Sequence, residues 1–344
     1  MTDADLPSPL GRSAVVVARV VRGGVVESEH RGHAVALDAA GAALVTLGDP
    51  GVTIFARSSL KPLQAVAMLD AGLDLEPRLL ALACASHSGE ERHTAGALEI
   101  LHEHGLGEQD LQNTPDLPAG ADAQREWLKA GRGPTPLAQN CSGKHAAMLA
   151  TCVRAGWPAQ GYLDPEHPLQ QRVRSVLARL TGGPVAHVTT DGCGAPLYSC
   201  TLLGLSRAFG ELARAAAARD GSSAARVGAA MAAHPGMVGG TGRDVTILMS
   251  GIPGLVAKDG AEGVYAVGLP DGRSAALKVL DGAQRPRPVV MSALLRALGV
   301  TDPVLDEVGT VPVLGHGRPV GQVVAAHVQP GTASPGTASP GTRP

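Results

Sequence analysis

The sequence predicts a mixed α/β fold of the α+β type, with antiparallel strands at the start, helices through the middle and strands again near the end. β-Prone runs crowd the stretch up to Phe55 and return from Leu255. Asp38-Ala39-Ala40-Gly41 between two such runs reads as a hairpin, which makes the early strands antiparallel. Between the two β-rich ends, apolar residues recur at helical spacing.

The 344 residues suffice for one large domain or two intimately packed ones. Apolar residues make up 44% and aromatic residues only 2%, so the core must be built from Ala, Val and Leu. A formal net charge of −2 with no basic block argues against nucleic acid or anionic membrane as a partner. Cys84, Cys141, Cys152, Cys193 and Cys200 are too sparse for a disulfide framework and point to a reducing compartment. Met1 to Asp5 is acidic and lacks the basic-then-apolar order of a signal peptide, and no apolar run of about 18 residues occurs. A cytoplasmic soluble protein is expected.

Residues 1–12 read as a loose leader. Val15 to Val21 is the first strand, broken by Arg22-Gly23-Gly24, and Val25 to His30 the second. His33 to Leu37 and Ala43 to Leu47 are the arms of the hairpin, and Val52 to Phe55 is a short β-prone run. The first helix opens near Ser58 or Ser59, because Pro62 has no N–H and is tolerated only in a first turn. Arg78 to Ala85 and Glu90 to His104 read as helices, with Ser88 capping the second and Glu91 completing a capping box. Residues 113–135 are rich in Pro and Gly and are expected to wrap the surface. Ala146 to Ala155 is a helix of small residues, and Pro168 to Leu180 an amphipathic helix stopped by Gly182-Gly183. Val185 to Thr189 is a short strand, followed by two Ala-rich helices within Leu202 to Ala233. Leu255 to Lys258, Val264 to Leu269 and Ala275 to Leu280 are β-type runs; Pro288 to Leu298 is the last helix and Gly321 to His327 the last strand. Residues 13–328 form the folded domain, in two packed subregions, and the Pro-Gly-Thr-Ala-Ser repeats of 329–344 are read as a disordered tail.

The stretch Ala56-Arg57-Ser58-Ser59-Leu60-Lys61-Pro62 organises the rest. Ser58 stands at a helix mouth with Lys61 one turn on, a spacing in which a partly desolvated lysine takes the proton of a serine hydroxyl. Taken alone, it equally describes an N-cap serine beside a solvated lysine. In Cys84-Ala85-Ser86-His87-Ser88, small polar residues interrupt an apolar run, and a cap at Ser88 leaves Ser86 and His87 without a structural explanation. Asn140-Cys141-Ser142-Gly143-Lys144-His145 is not a P-loop, since Ala138 replaces the first Gly and His145 the Ser or Thr. Cys141 and Lys144 share one side of a helix start, although Cys141 also suits a small buried hydrophobe. Asp191-Gly192-Cys193 places a Gly-flanked cysteine beside a carboxylate on a tight turn, a poor core position. Arg243 follows a Gly-rich turn and suits a carboxylate ligand. Lys278, between Leu277 and Val279, is costly if it faces inward without a partner.

These motifs, with His234-Pro235-Gly236-Met237-Val238 and Arg22-Gly23-Gly24-Val25-Val26-Glu27, occur in an order that resembles the class 3, or rhizobial-type, L-asparaginases of the asparaginase II family, over roughly residues 14–328. The resemblance implies an antiparallel sheet flanked by helices plus a helical region, like serine β-lactamases and glutaminases. It implies two Ser–Lys pairs, Ser58 with Lys61 and Ser86 with Lys278. It implies one zinc ion held by Cys141, Lys144 and Cys193, and a homodimer. Arg57, His87, Asp191, Gly192, His145 and Arg243 are then expected around the substrate.

The activity implied is hydrolysis of L-asparagine to L-aspartate and ammonia. A penicillin-interacting acyl hydrolase would pair Ser-x-x-Lys with Ser-Asp-Asn and Lys-Thr-Gly, and neither tripeptide occurs. A non-catalytic amino-acid-binding protein on the same fold would be expected to have lost Ser58, Lys61 or Lys278, and all three are present.

Overall fold

In the computed structural model, which describes residues 9–328, strands come first, a long helical excursion second and the remaining strands last. The helical turn α1 (Pro9–Arg12) precedes β1 (Val15–Arg22), β2 (Val25–Leu37), β3 (Ala43–Leu47) and β4 (Thr53–Phe55). A 3-10 turn, Arg57–Leu60, runs into α2 (Lys61–Asp70). The excursion continues through α3 (Pro77–Ala83), α4 (Glu91–His102), α5 (Ala121–Lys129), α6 (Ser142–Ala155) and α7 (Pro168–Thr181). It carries two short strands, β5 (Val188–Thr190) and β6 (Pro196–Thr201), and ends with α8 (Leu202–Ala218), α9 (Ser223–Ala233), α10 (Pro235–Val238) and α11 (Asp244–Gly251). The chain then returns as β7 (Val256–Gly260), β8 (Val264–Gly268), β9 (Ser274–Val279), α12 (Pro286–Ala297), α13 (Val304–Gly309), β10 (Val311–Gly315) and β11 (Arg318–Ala325).

Eight strands form one antiparallel sheet in the order β10-β11-β1-β2-β9-β8-β7, with β3 also paired to β2; β4, β6 and β5 form a smaller one. The fold is therefore the mixed, antiparallel α+β type expected. Strands from both ends of the sequence interleave, because β9 pairs with β2 along Gly32–Leu37. α8 packs on β8 and β9 through an interior of Ala, Val and Leu in which Phe209, Tyr162, Tyr198 and Tyr265 are the largest fully buried apolar side chains. β7 ends the large sheet and packs against the 3-10 turn that carries Ser58. Among the described residues no helix is long and apolar enough to cross a membrane.

Several boundaries differ from the sequence reading for local reasons. The second strand and the first hairpin arm are one strand, β2. Gly32 does not break it: a Cβ there would lie 2.2 Å from the Lys278 carbonyl, so the glycine marks close approach of β9. The first helix starts as a 3-10 turn, with the α-helix proper from Lys61 and Pro62 in its first turn. Ser88 is not the cap of α4. Glu90 is, in a capping box with His93, while the Ser88 hydroxyl donates to the Gly239 carbonyl. The loose leader gives way at its end to α1, where the Leu10 carbonyl bonds His33 Nε2 at 2.9 Å; residues 1–8 and the repeat tail lie outside the described residues. Residues 113–135 contain α5, none of whose side chains is buried. β6, α10, α11, α13 and β10 are additional elements.

Candidate active site

Two serines from separate loops meet in a cleft of about 280 Å³, lined also by Asn140, Arg243, Asp259 and Arg287. Ser58 comes from the 3-10 turn before α2, and Ser86 from the loop after α3. That loop is pinned on both sides: Ser86 N–H donates to the Val238 carbonyl and His87 N–H to the Asn140 carbonyl. The Ser58 hydroxyl makes no hydrogen bond among the described residues and is half-buried.

Lys61 is 2% exposed. Its amine donates to Ala85 O at 2.5 Å, Ser86 Oγ at 3.0 Å and Cys141 Sγ at 3.1 Å. The lysine of the Ser-x-x-Lys motif thus bonds the second serine, not the first.

A second lysine, which the sequence reading passed over as the end of a β-type run, completes the cluster. Lys258 on β7 is fully buried, and its amine is 2.6 Å from Asp259 Oδ1. Burial pulls its pKa down to about 8, against the opposing attraction of Asp259. Its carbonyl accepts a bond from Ser59 Oγ at 3.2 Å, which ties β7 to the turn carrying Ser58. Gly260 permits that contact, since a Cβ there would lie 2.6 Å from the Ala56 carbonyl. Asp259 also holds Arg243 at 2.7 Å and Arg287 at 3.6 Å. Burial alone would raise its pKa, but Lys258 and the two arginines outweigh it and keep the carboxylate ionised.

The family profile described as L-asparaginase II matches residues 18–325. The chain belongs to the L-asparaginase II family. In structure it is similar to a β-lactamase from Mycobacterium bovis, at 12% identity and TM-score 0.38, covering 78% of this chain and 95% of that one. It is also similar to a protein from Bacteroides dorei with a provisional β-lactamase assignment, at 15% identity and TM-score 0.41, covering 83% and 93%. No curated protein is matched by the sequence.

Of the residues that membership brings into question, several are placed close to the serines but are already engaged. Arg57, with φ of 52°, pairs with Asp191 at 2.7 Å, and Asp191 Oδ1 also accepts from Gly192 N–H at 2.8 Å. Arg243 lines the cleft but spends its contact on Asp259. His87 is wholly buried. Its Nδ1 accepts from Gly89 N–H, so Nε2 is the protonated nitrogen and donates to Ser142 Oγ at 2.9 Å. Burial, His93 and Lys61 keep it neutral. It is a buried support of the Ser86 loop and has no nitrogen left for substrate, which corrects its expected role. His145 is equally buried, with Nδ1 2.7 Å from the Tyr162 hydroxyl and Nε2 unpartnered; burial lowers its pKa to about 4.

Cys141 and Cys193 share a small buried cluster, and the Lys144 amine is 3.2 Å from Cys193 Sγ. The adjacent Cys141 thiol and the Lys144 ammonium hold Cys193 below the ordinary thiol range, as thiolate. Among the described residues no group of three or more His, Cys, Asp or Glu is placed to hold a metal; the set here has two cysteines and a lysine. Its chemistry nevertheless fits zinc. Two sulfurs suit the ion, the Lys144 amine becomes a donor on losing its proton, and His145 Nε2 is a buried orphan nitrogen beside them.

Lys278 does not reach Ser86. Its amine donates to the Glu262 carbonyl and lines a different cavity with Arg57, so the expected Ser86–Lys278 pair is not formed. β9 pairs with β8 at Lys278–Val264, level with Gly260, two strands away from the cleft-forming β7. The signal that could have singled out Lys258 is the run Leu255-Val256-Ala257-Lys258-Asp259-Gly260: a lysine at the end of an unbroken apolar strand, closed by a glycine.

Proposed function

We propose that this chain hydrolyses the side-chain amide of L-asparagine to L-aspartate and ammonia, with Ser58 as nucleophile. The observation that supports it most is the convergence of two serines on one cleft with a buried lysine bonded to Ser86 and a second buried lysine beside the Ser58 turn. Ser58, the serine without a partner, attacks the amide carbon. Its proton passes to Lys61, one helical turn on. Ser86 delivers its own proton to the departing nitrogen and is re-protonated by Lys61, to which it is already bonded. Water then cleaves the ester by the reverse proton route, releasing aspartate and restoring Ser58.

Negative charge on the carbonyl oxygen needs N–H donors. The Ser58 N–H at the start of the helical turn and the outer edge of β7, which no strand covers, are the groups in place. Arg243 and Arg287 give the cleft a cationic side suited to the substrate's α-carboxylate. Zinc, if carried, would be held by Cys141, Cys193 and neutral Lys144, and would supply positive charge beside the cleft. Through Cys141 that set also fixes one of the three contacts of Lys61.

A penicillin-directed reading is not favoured. Lys258-Asp259-Gly260 has a carboxylate in the middle where the tripeptide of penicillin-interacting enzymes has threonine, and that carboxylate is saturated by Lys258 and Arg243. The test is ammonia release by the purified protein from L-asparagine, with benzylpenicillin hydrolysis measured in parallel. Ammonia without penicillin turnover is expected; no ammonia from asparagine sinks the proposal.

A further inference from the structure

A second cavity, of about 390 Å³, shares no lining residue with the cleft that holds Ser58 and Ser86. Arg57 lines it, and the next residue, Ser58, lines the cleft. Its charged groups are Lys278, Glu262 and Arg57. Arg57 pairs with Asp191 at 2.7 Å and stands 4.0 Å from the exposed Glu262 carboxylate. Lys278 is the cation of the space without a carboxylate partner, and Glu262 the anion whose one ion pair is long.

Lys278 is only 8% exposed, yet its amine has a single hydrogen bond, to a main-chain carbonyl, and no carboxylate at ion-pair distance among the described residues. An ammonium has three donors, and a buried cation without a counter-ion is costly. Burial lowers its pKa, while the more distant Glu262 and Asp281 carboxylates raise it. Glu262 is mostly exposed and turns its backbone into the left-handed region, φ 58°, which glycine or asparagine adopts far more readily than glutamate. Of the five non-glycine residues with positive φ among those described, two, Arg57 and Glu262, line this one cavity. Strain of this kind collects where a ligand is gripped. Leu10, Ile54 and Leu197 add apolar surface to the lining, and Thr189 and Thr190, which also line it, are exposed. The volume is within the range of small-molecule sites.

We propose that this cavity is a second amino-acid site, taking an α-amino acid with a short apolar side chain: its carboxylate on Lys278, its ammonium on Glu262 and its side chain on the Leu10, Ile54 and Leu197 wall. It is distinct from the site of amide hydrolysis. Arg57, joined to Ser58 by a peptide bond, gives occupancy a direct route to the catalytic serine.

Calorimetric titration of the whole chain with L-leucine tests this without reference to turnover. Leucine should bind at one site and still bind with L-aspartate present at saturation. Lys278→Met should weaken it by about tenfold or more, and 4-methylpentanoate, which is leucine without the ammonium, should bind about tenfold less tightly than leucine. Should Lys278→Met fail to fold, Thr189→Trp fills the cavity from an exposed strand and must abolish binding. Absence of leucine binding by the native protein overturns the proposal. So does binding that aspartate displaces and that neither substitution alters, or equal binding of 4-methylpentanoate, which removes the amino-acid class.

Discussion

The Lys61 amine stands 3.0 Å from the Ser86 hydroxyl and makes no hydrogen bond to Ser58, three residues earlier in its own helical entry. The two serines therefore stand in unequal surroundings. In the proposed mechanism Ser58 attacks, and Ser86 is the serine bonded to Lys61.

Ser58→Ala and Ser86→Ala should separate their tasks. Loss of the Ser58 hydroxyl should cost about three orders of magnitude or more in kcat. Ser86→Ala should slow acylation and deacylation by about 10²- to 10⁴-fold, the usual range for a lost proton donor. Each should leave the fold intact within about 1 kcal/mol, measured by urea unfolding. A Ser86→Ala variant with native kcat would remove Ser86 from the proton route.

The pH profile should rise with an acid limb near 8. A protonated Lys258 adds positive charge beside Lys61 and Asp259; losing that proton frees the amine to accept one. Burial brings its pKa down to about 8, so activity should be low below that pH and grow as pH passes through it. Lys258→Met should flatten this limb and cost about 10²-fold or more, whereas Lys278→Met should cost far less. A native profile in Lys258→Met, read from initial rates at several pH values, would show that Lys258 does not set this limb.

Much of the fold is legible in the sequence because its signals are local. Asp38 accepts from the N–H groups of Ala40 and Ala42 in the hairpin loop, as its turn chemistry implies. Pro168 opens α7, and Gly182 closes it at φ 69°. The Ser58 turn, the Ser86 loop and the cysteine pair are legible as motifs. Their pairing is not. Whether Lys258 or Lys278 comes near the serines depends on strand order and register across β7, β8 and β9, and each lysine follows an apolar run in its strand. His87 misleads for a similar reason: a polar residue in an odd loop reads as a ligand group until its nitrogens are found committed to Gly89 and Ser142.

Gly260→Ala probes the contact that brings β7 to the Ser58 turn. The new Cβ would lie 2.6 Å from the Ala56 carbonyl and 3.0 Å from Ser59 Oγ, so the turn must shift. A loss of about 1–3 kcal/mol in stability and a larger proportional fall in kcat than in KM are expected. Unchanged kcat, by ammonia assay, means the spacing between β7 and Ser58 is not critical.

Zinc is expected at about one ion per chain by elemental analysis, and Cys193→Ser should lose most of it, because only two thiolates anchor the set. A fully active native protein that carries no metal would leave Cys141, Lys144 and Cys193 as a buried polar cluster that positions Lys61.

The most direct measurement is mass spectrometry of the protein quenched during turnover of L-asparagine. One aspartyl group should appear in ester linkage on the peptide carrying Ser58, accumulate further in Ser86→Ala if deacylation slows, and be missing from Ser58→Ala. An aspartyl ester on Ser86 in place of Ser58, or steady ammonia release by Ser58→Ala, would contradict Ser58 as the nucleophile.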